Sequence, residues 1–325
     1  MSQTILYRLQ PWELVDRLVE DMCPGGFEIV SLARDATPEE RHHKLAGADF
    51  LMGSWVTTAV TLTEDDFRAG TRLRLVQLMS AGYEHVDLDL AARYRVPVAH
   101  FGDAMASTVA EHTLMLILAL NRRLPRLDGA VRSGKWRTDE PPLYELRGKR
   151  AGIVGLGLIG REAAKRLNAF EVQVSYFQRH QLDDHLEHAL GVRYQALDEL
   201  LAESDVVSLN VPITTTTRHL IAARELALMK PEAVLINVSR GPVVDEAALA
   251  DALEGGRLRG AALDVLEQEP PDSANPLLRL DNVIFTPHNA GSSAEVWPRV
   301  VAACFANIQR VARGEPAQNV ARKYD

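Results

Sequence analysis

The chain is poor in cysteine and has no long hydrophobic run. Its 325 residues include only two cysteines, Cys23 and Cys304, which lie far apart and lack metal-ligand spacing. This usage argues against a disulfide framework and is typical of a reducing compartment. The longest apolar run, Leu114 to Leu120, is far too short to span a bilayer. The N-terminal segment lacks a basic region followed by a long apolar core, so we predict no signal peptide and a cytoplasmic protein.

Positive charge is also in short supply. The formal net charge is −8 at pH 7, and no basic stripe offsets it. We therefore expect neither a nucleic-acid partner nor an anionic membrane partner. The hydrophobic content of 46% and the charged content of 25% are typical of a soluble globular protein, and the length favours two domains.

A glycine-containing segment near the middle of the chain indicates nucleotide binding. Residues 151–154 form a short apolar run typical of a buried strand, and a second strand is predicted over residues 172–177. Between them stand Gly155, Gly157 and Gly160 in G-x-G-x-x-G spacing, followed by a helical pattern. This spacing occurs by chance in many loops, but the strand–turn–helix–strand context is the one in which it binds a dinucleotide.

Each glycine of this motif has a different expected role. We expect Gly155 to allow the tight turn, Gly157 to let the backbone approach a pyrophosphate, and Gly160 to let helix and strand pack closely. The N–H groups of Leu158 and Ile159, at the start of the helix, would then face the phosphates. The alternative interpretation is a tight turn with a purely structural role.

Alternating strand and helix signals predict the fold. A βαβ series over residues 1–103, and another that starts at Arg150, each imply a parallel sheet covered by helices. The predicted fold class is α/β, with two Rossmann-like lobes, a flavodoxin-like substrate lobe and a dinucleotide-binding lobe, and a cleft between them. A long helix over residues 292–312 is predicted to return to the first lobe. The predicted domains are residues 1–103 plus 290–325 for the substrate and residues 104–289 for the dinucleotide.

The connection between the two lobes is predicted to be helical. Ser107 to Leu124 is typical of a long apolar helix that Pro125 ends, and a shorter helix is predicted from Arg126 to Trp136. The polar, proline-containing segment at residues 137–147 predicts an exposed arm or linker. We interpret His112, within the long helix, as a core or interface histidine.

Three polar residues stand where strands of the second lobe are predicted to end, the edge at which a parallel sheet binds ligands. Arg240 could hold a carboxylate with two parallel hydrogen bonds. His288 could be the proton donor, because histidine side chains in general exchange a proton near working pH and a neighbouring carboxylate, such as Glu269, favours the protonated form. Reduction of a 2-oxo acid needs such a cation and such a proton donor. Taken singly, such a residue is more often an ordinary loop or surface residue than a catalytic one. No pair of histidines has metal-ligand spacing, so no metal is expected.

The sequence resembles the D-isomer-specific 2-hydroxyacid dehydrogenase family over nearly its whole length. The matching runs are VAEH (109–112), GLGLIG (155–160), NVSRGPVVDE (237–246), GAALDVLEQEP (260–270) and TPHNAG (286–291). Several runs in the right order are far more specific than any single motif. The resemblance implies an NAD(P)-dependent D-2-hydroxyacid dehydrogenase or 2-oxoacid reductase, similar to glyoxylate or hydroxypyruvate reductases.

The resemblance also implies roles for individual residues. Arg240 would bind and orient the substrate, His288 would be the acid/base, and Glu269 would be its carboxylate partner. The substrate pocket would be formed by Ser54, Trp55, Ser80, Ala81 and Gly82, and backbone amides of the last three would hold the substrate carboxylate. Asp264 would meet the nicotinamide carboxamide. The remaining cofactor contacts would come from Val109, Gly155, Gly157, Leu158, Ile159, Gly160, Gln178, Arg179, His180, Val211, Pro212, Val238, Ser239, Ala290 and Gly291.

The end of the second strand predicts a preference for NADP. NAD-selective folds place an Asp or Glu there, about twenty residues beyond the glycines, to accept from the ribose 2′-hydroxyl. This chain has Gln178, followed by Arg179 and His180. An amide can donate to a 2′-phosphate and a guanidinium can pair with it, whereas a carboxylate would repel it. The alternative is that NAD binds without its acidic contact, as a weaker cofactor.

Other functions of the same fold remain open. Residues 167–182 resemble formate dehydrogenases, but that branch has a glutamine where Glu269 stands. A phosphite dehydrogenase is another alternative, and Ala81 disfavours it because that enzyme has a lysine at this position. A non-catalytic, NAD(H)-sensing corepressor is a further alternative, which the absence of basic patches disfavours. The family resemblance also implies a homodimer formed through the cofactor lobe, with the arm at residues 136–144 reaching across. Which 2-hydroxy acid is the natural substrate is left open.

Overall fold

The protein is described by a computed structural model that covers residues 2–53, 62–136 and 142–323. The chain divides into two compact units. Unit 1 comprises Met1–Met105 and Ser292–Asp325, and unit 2 comprises Ala106–Gly291. Unit 1 is therefore assembled from both ends of the chain, whereas unit 2 is one continuous segment.

Unit 1 is built on a five-stranded parallel sheet. Its strands are β1 (Gln3–Arg8), β2 (Phe27–Leu32), β3 (Phe50–Gly53), β4 (Leu75–Leu78) and β5 (Val98–Ala99), in the order β2-β1-β3-β4-β5. This is the flavodoxin-like strand order. The helices of unit 1 are α1 (Glu13–Asp21), α2 (Pro38–Leu45), α3 (Glu64–Ala69), α4 (Leu88–Arg93) and, near the C-terminus, α12 (Val296–Ala312).

Unit 2 is built on a seven-stranded parallel sheet. Its strands are β6 (Arg150–Val154), β7 (Gln173–Phe177), β8 (Val192–Tyr194), β9 (Val206–Leu209), β10 (Val234–Asn237), β11 (Gly260–Leu263) and β12 (Val283–Phe285), in the order β12-β11-β10-β9-β6-β7-β8. Its helices are α5 (Ala106–Asn121), α6 (Leu124–Arg132), α7 (Leu158–Ala169), α8 (Asp184–Leu190), α9 (Leu197–Glu203), α10 (Ala223–Leu228) and α11 (Glu246–Glu254).

The sheet of unit 2 reverses its strand order beside β6. Val154, the last residue of β6, is paired with Phe177 of β7 on one side and with Leu209 of β9 on the other. Successive strands are added toward β8 on the first side and toward β12 on the second. Such a reversal opens a crevice outside the carboxyl ends of the strands, where α/β proteins bind ligands. The predicted α/β class, with two Rossmann-like units, is confirmed.

Each unit has its own hydrophobic core. In unit 1, Ile5 and Phe50 of the sheet pack in one cluster with Val300 and Phe305 of α12. The C-terminal helix is therefore part of the core of the unit that contains the N-terminus. In unit 2, Leu235 of β10 lies in a buried cluster with residues of α9, α10 and α11. Within the described ranges, no helix is long and apolar enough to cross a membrane.

Two predicted helix boundaries differ from the structure. The helix predicted over residues 107–124 ends at Asn121, and Pro125 lies in the first turn of α6 instead of ending α5. The chain turns at Arg123, which has a φ of +51°. Proline is well suited to a first helical turn because no intrahelical bond is lost there, so its presence marked a start and not a stop. The C-terminal helix begins at Val296, four residues later than predicted.

Candidate active site

The glycine loop of unit 2 leaves room for a ligand at one glycine only. Gly155 has a φ of +95°, and a Cβ added to it would lie 2.7 Å from the Asn210 carbonyl oxygen. A Cβ on Gly160 would lie 2.3 Å from the Gly155 carbonyl oxygen. A Cβ on Gly157 would meet no atom within 4 Å. Gly155 and Gly160 thus allow the backbone to pack, whereas Gly157 borders open space at the N-terminus of α7. This geometry fits a bound pyrophosphate.

The three residues that follow β7 form a short polar loop. Gln178 is half-buried, and its amide Nε2 donates to the His180 carbonyl oxygen at 2.7 Å. Arg179 and His180 are exposed. An amide nitrogen carries two hydrogens, so Gln178 keeps one donor for a ligand while it holds this loop. The loop presents one fixed cation at the strand end and, in this segment, no carboxylate.

Arg240 is positioned by the side chain of the last residue of β10. Asn237 Oδ1 accepts from the Ser239 N–H at 3.1 Å and from the Ser239 hydroxyl at 2.8 Å, while Asn237 Nδ2 donates to the Arg240 carbonyl oxygen at 3.0 Å. Next to this turn, a Cβ added to Gly241 would lie 1.9 Å from the Leu266 carbonyl oxygen. The loop that carries Arg240 therefore packs directly on the loop that follows β11.

His288 and Glu269 form a close pair. Nδ1 of His288 lies 2.6 Å from Oε2 of Glu269, and the Leu266 N–H donates to Oε1 of the same carboxylate at 3.1 Å. Burial alone would raise the pKa of Glu269. The hydrogen bond and charge of His288, the Leu266 amide and the charge of Arg240 outweigh it and hold that pKa below its ordinary value. The carboxylate thus stays ionised beside the imidazole. The structure brings all three predicted polar residues to neighbouring strand ends.

The loop that carries His288 is anchored on the buried carboxylate of Asp264. Only 2% of Asp264 is exposed. Its Oδ1 accepts from the Asn289 N–H at 3.0 Å and from the Thr286 hydroxyl at 2.5 Å, and its Oδ2 accepts from the Ala290 N–H at 2.9 Å. Its carbonyl oxygen accepts from the His288 N–H at 2.7 Å. These bonds hold His288 at a φ of +51°, a conformation that residues other than glycine seldom adopt.

His112 of α5 belongs to the same group of side chains. Its Nε2 lies 3.0 Å from the Thr286 hydroxyl oxygen and 3.8 Å from Oδ1 of Asp264, and 15% of its side chain is exposed. Burial lowers the pKa of His112, although the charge of Asp264 opposes this effect. The interpretation of His112 as a core or interface residue misses this contact. No spacing in the sequence links residue 112 to residue 286, so the sequence held no signal for it.

The remaining predicted site residues divide between the two units. Ser80 follows β4 in unit 1, and its hydroxyl donates to the Gly82 carbonyl oxygen at 2.8 Å, which curls the predicted substrate loop. Ser54 and Trp55 lie outside the described residues. In unit 2, the buried members of the predicted cofactor groove are Val109, Val238, Ser239 and Ala290, while Val211 and Gly291 are half-buried and Pro212 is exposed. Among the residues that the structure covers, no group of three His, Cys, Asp or Glu side chains could hold a metal ion.

Comparisons with known proteins place the chain in a family. Residues 114–290 match the family described as D-isomer specific 2-hydroxyacid dehydrogenase, NAD binding domain. A glyoxylate reductase of Thermofilum pendens is 40% identical over 76% of this chain and 74% of its own length. Glyoxylate/hydroxypyruvate reductase B of Shigella boydii is 34% identical over 97% of this chain and 96% of its own length. A D-3-phosphoglycerate dehydrogenase of Methanocaldococcus jannaschii is 36% identical over 94% of this chain, which spans 58% of that protein.

A solved structure is similar over nearly the whole chain. An acyclic imino acid reductase, Bsp5, in complex with NADPH and D-Arg has a TM-score of 0.84 and 27% identity, covering 98% of this chain and all of that one. The two parallel α/β units, the glycine loop and the family match define an oxidoreductase with an NAD(P)-binding domain. The chain belongs to the D-isomer specific 2-hydroxyacid dehydrogenase family.

The difference between the glycines predicts separable effects of alanine. Gly157→Ala should leave the melting temperature within about 1 °C of wild type but weaken nicotinamide cofactor binding about tenfold or more, because its methyl group enters only the open space. Gly160→Ala should lower stability by about 1–3 kcal/mol, because the methyl group meets backbone atoms. Thermal unfolding and cofactor titration of both variants test this. A Gly157→Ala protein that binds cofactor as wild type does would contradict it.

Proposed function

We propose that this protein reduces small 2-oxo acids, such as glyoxylate or hydroxypyruvate, to the 2-hydroxy acids with a nicotinamide cofactor, and prefers NADP. The observation that carries the proposal is the 2.6 Å contact of His288 with Glu269, beside Arg240, at the strand ends of the unit that contains the glycine loop. A cofactor-sensing corepressor of the same fold keeps the same motifs, so turnover of glyoxylate with NADPH is the measurement that distinguishes it from the enzyme. The names of the Thermofilum and Shigella relatives support the substrate class.

The proposed mechanism assigns one task to each side chain. A bound reduced nicotinamide would supply the hydride for the carbonyl carbon. Arg240 binds the substrate carboxylate and carbonyl oxygen with its planar guanidinium. Because Nδ1 of His288 faces Glu269, Nε2 is the ring nitrogen that holds the proton for the carbonyl oxygen. Glu269 stabilises the charged ring before transfer.

The same arrangement distinguishes the alternatives. Formate oxidation releases no proton that needs a base, and the branch that catalyses it has a glutamine at the position of Glu269. Here the position is an ionised carboxylate with its pKa held low beside His288. This favours chemistry in which a proton is moved. The test is turnover of glyoxylate, hydroxypyruvate and formate with both cofactors; turnover of formate alone would reject the proposal.

We also propose a homodimer formed through unit 2. Large apolar side chains on and after α6 are exposed, namely Leu124, Val131 and Trp136, the last with 78% of its surface. Leu124 and Val131 are seven residues apart on α6 and so share one face of the helix, and clustered exposed apolar side chains are typical of an interface. A second copy of the chain fits because the family resemblance implies it.

Replacement of Arg240 tests the substrate anchor. Arg240→Lys should raise KM and lower kcat together, because a point charge cannot reproduce two parallel hydrogen bonds. The fall in kcat/KM should correspond to a loss of about 2–5 kcal/mol of transition-state stabilisation. Arg224→Lys is the matched control, since Arg224 is an exposed residue of unit 2 that pairs with Asp198 and Glu225. Near-wild-type kinetics of Arg240→Lys with glyoxylate would reject the assignment.

The pH dependence of reduction tests the His288–Glu269 pair. Reduction needs the protonated ring, so kcat/KM should fall as pH rises and the ring loses its proton. In Glu269→Gln, this fall should occur at lower pH, because the negative charge that favours the imidazolium is gone. Glu267→Gln is the control, because Glu267 contacts His219 and not His288. An unchanged profile in Glu269→Gln would exclude Glu269 from the mechanism.

The loop after β7 tests the cofactor preference. Wild type should have a higher kcat/KM with NADPH than with NADH. Gln178→Asp should reverse this order, and Arg179→Ala should weaken NADPH use about tenfold or more while NADH use changes little, because only the 2′-phosphate needs the guanidinium. Arg193→Ala, at an exposed position of β8, is the control. A wild-type enzyme that prefers NADH would overturn the assignment.

A further inference from the structure

The loop of His288 depends on a chain of three side chains that begins on α5. Oδ1 of Asp264 accepts a hydrogen bond from the Thr286 hydroxyl, and the two oxygens lie 2.5 Å apart. That oxygen of Thr286 lies 3.0 Å from Nε2 of His112. Because the only hydroxyl hydrogen of Thr286 is used on Asp264, Nε2 of His112 must donate and the hydroxyl oxygen must accept. The direction of every hydrogen bond in the chain is therefore determined.

This chain ends on the backbone that flanks His288. Oδ1 of Asp264 accepts from Thr286 and also from the Asn289 N–H, and Oδ2 accepts from the Ala290 N–H. Thr286 precedes His288 by two residues and Asn289 follows it. One carboxylate oxygen thus holds the backbone on both sides of His288, which has a φ of +51°. Such a conformation is strained for a residue other than glycine and persists only where its surroundings hold it.

We infer that His112 and Thr286 are positioning residues for His288, acting through Asp264. His112 holds the Thr286 hydroxyl in the orientation that donates to Asp264, and Asp264 then holds the backbone on both sides of His288. The expected effect on kcat rests on the proposed function, whereas the expected effect on the His288 loop does not. Loss of the His112 donor leaves Thr286 free to rotate, so the loop visits conformations in which His288 is misplaced.

The kinetic consequence is a fall in kcat with little change in KM. The positioned His288 acts in proton transfer, whereas Arg240, which binds substrate, belongs to a different loop held by Asn237. His112→Leu and Thr286→Val should each lower kcat for glyoxylate about tenfold and leave KM within about twofold. The double variant should be no slower than the slower single variant, because both changes break the same chain.

Conservative substitutions and a neighbouring residue provide the controls. His112→Gln keeps an N–H donor at the end of a side chain of similar reach, and Thr286→Ser keeps the hydroxyl, so both should restore kcat to within about threefold of wild type. Thr113→Val removes a buried hydroxyl from the same helix, but that hydroxyl donates to the Val109 carbonyl oxygen and not to the chain. Thr113→Val should keep the wild-type kcat.

Hydrogen exchange provides a readout that needs no turnover. Amide exchange of Asn289 and Ala290 should be about tenfold faster in His112→Leu and Thr286→Val than in wild type or Thr113→Val. Wild-type exchange and kcat in His112→Leu, additive losses in the double variant, or a lower melting temperature with unchanged kcat and exchange would each overturn the inference. If wild type reduces no 2-oxo acid, the proposed function fails, and the exchange data still decide the role of His112.

Discussion

The close approach of Gly155 to the backbone of Asn210 is the constraint on which the site depends. Gly155 follows β6 and Asn210 follows β9, and any side chain at Gly155 would collide with that backbone. Only without a Cβ can the two loops run side by side, which lets β6 and β9 pair up to their last residues. That pairing is the point at which the sheet reverses its strand order. The ligand edge, with the ends of β10, β11 and β12 beside it, follows from it.

Polar side chains at strand ends shape the loops more than the strands themselves do. Asn237 at the end of β10 and Asp264 directly after β11 each bind backbone groups of a loop that carries a proposed catalytic residue. Both side chains are buried, so water does not compete for these bonds. Arg240 and His288 owe their placement to these buried neighbours, whose side chains bind backbone groups. A variant can therefore lose activity through a residue that acts by holding the backbone.

The sequence predicted the parts of the site that depend on local spacing. The glycine roles followed from the context of two strands and a helix, and Gly160 indeed packs on the backbone of Gly155. Arg240, Glu269 and His288 were placed at strand ends, because parallel strands end at one edge. His112 and Thr286 could not be linked, since their contact depends on how α5 packs on the sheet. Pro125 was misinterpreted for a related reason: proline has the same local stereochemistry after a helix as in its first turn, and only the turn at Arg123 decides between them.

The division of unit 1 between the two ends of the chain sets an order for its assembly during synthesis. The ribosome releases the five strands of unit 1 first, then all of unit 2, and α12 last. Until α12 emerges, Ile5, Tyr7 and Phe50 lack the apolar partners that Val300 and Phe305 supply. Unit 2 has no such delay, because its sheet and helices are made in one continuous stretch. The nascent protein thus carries an unfinished apolar surface through most of its translation, and this surface is a natural target for chaperones.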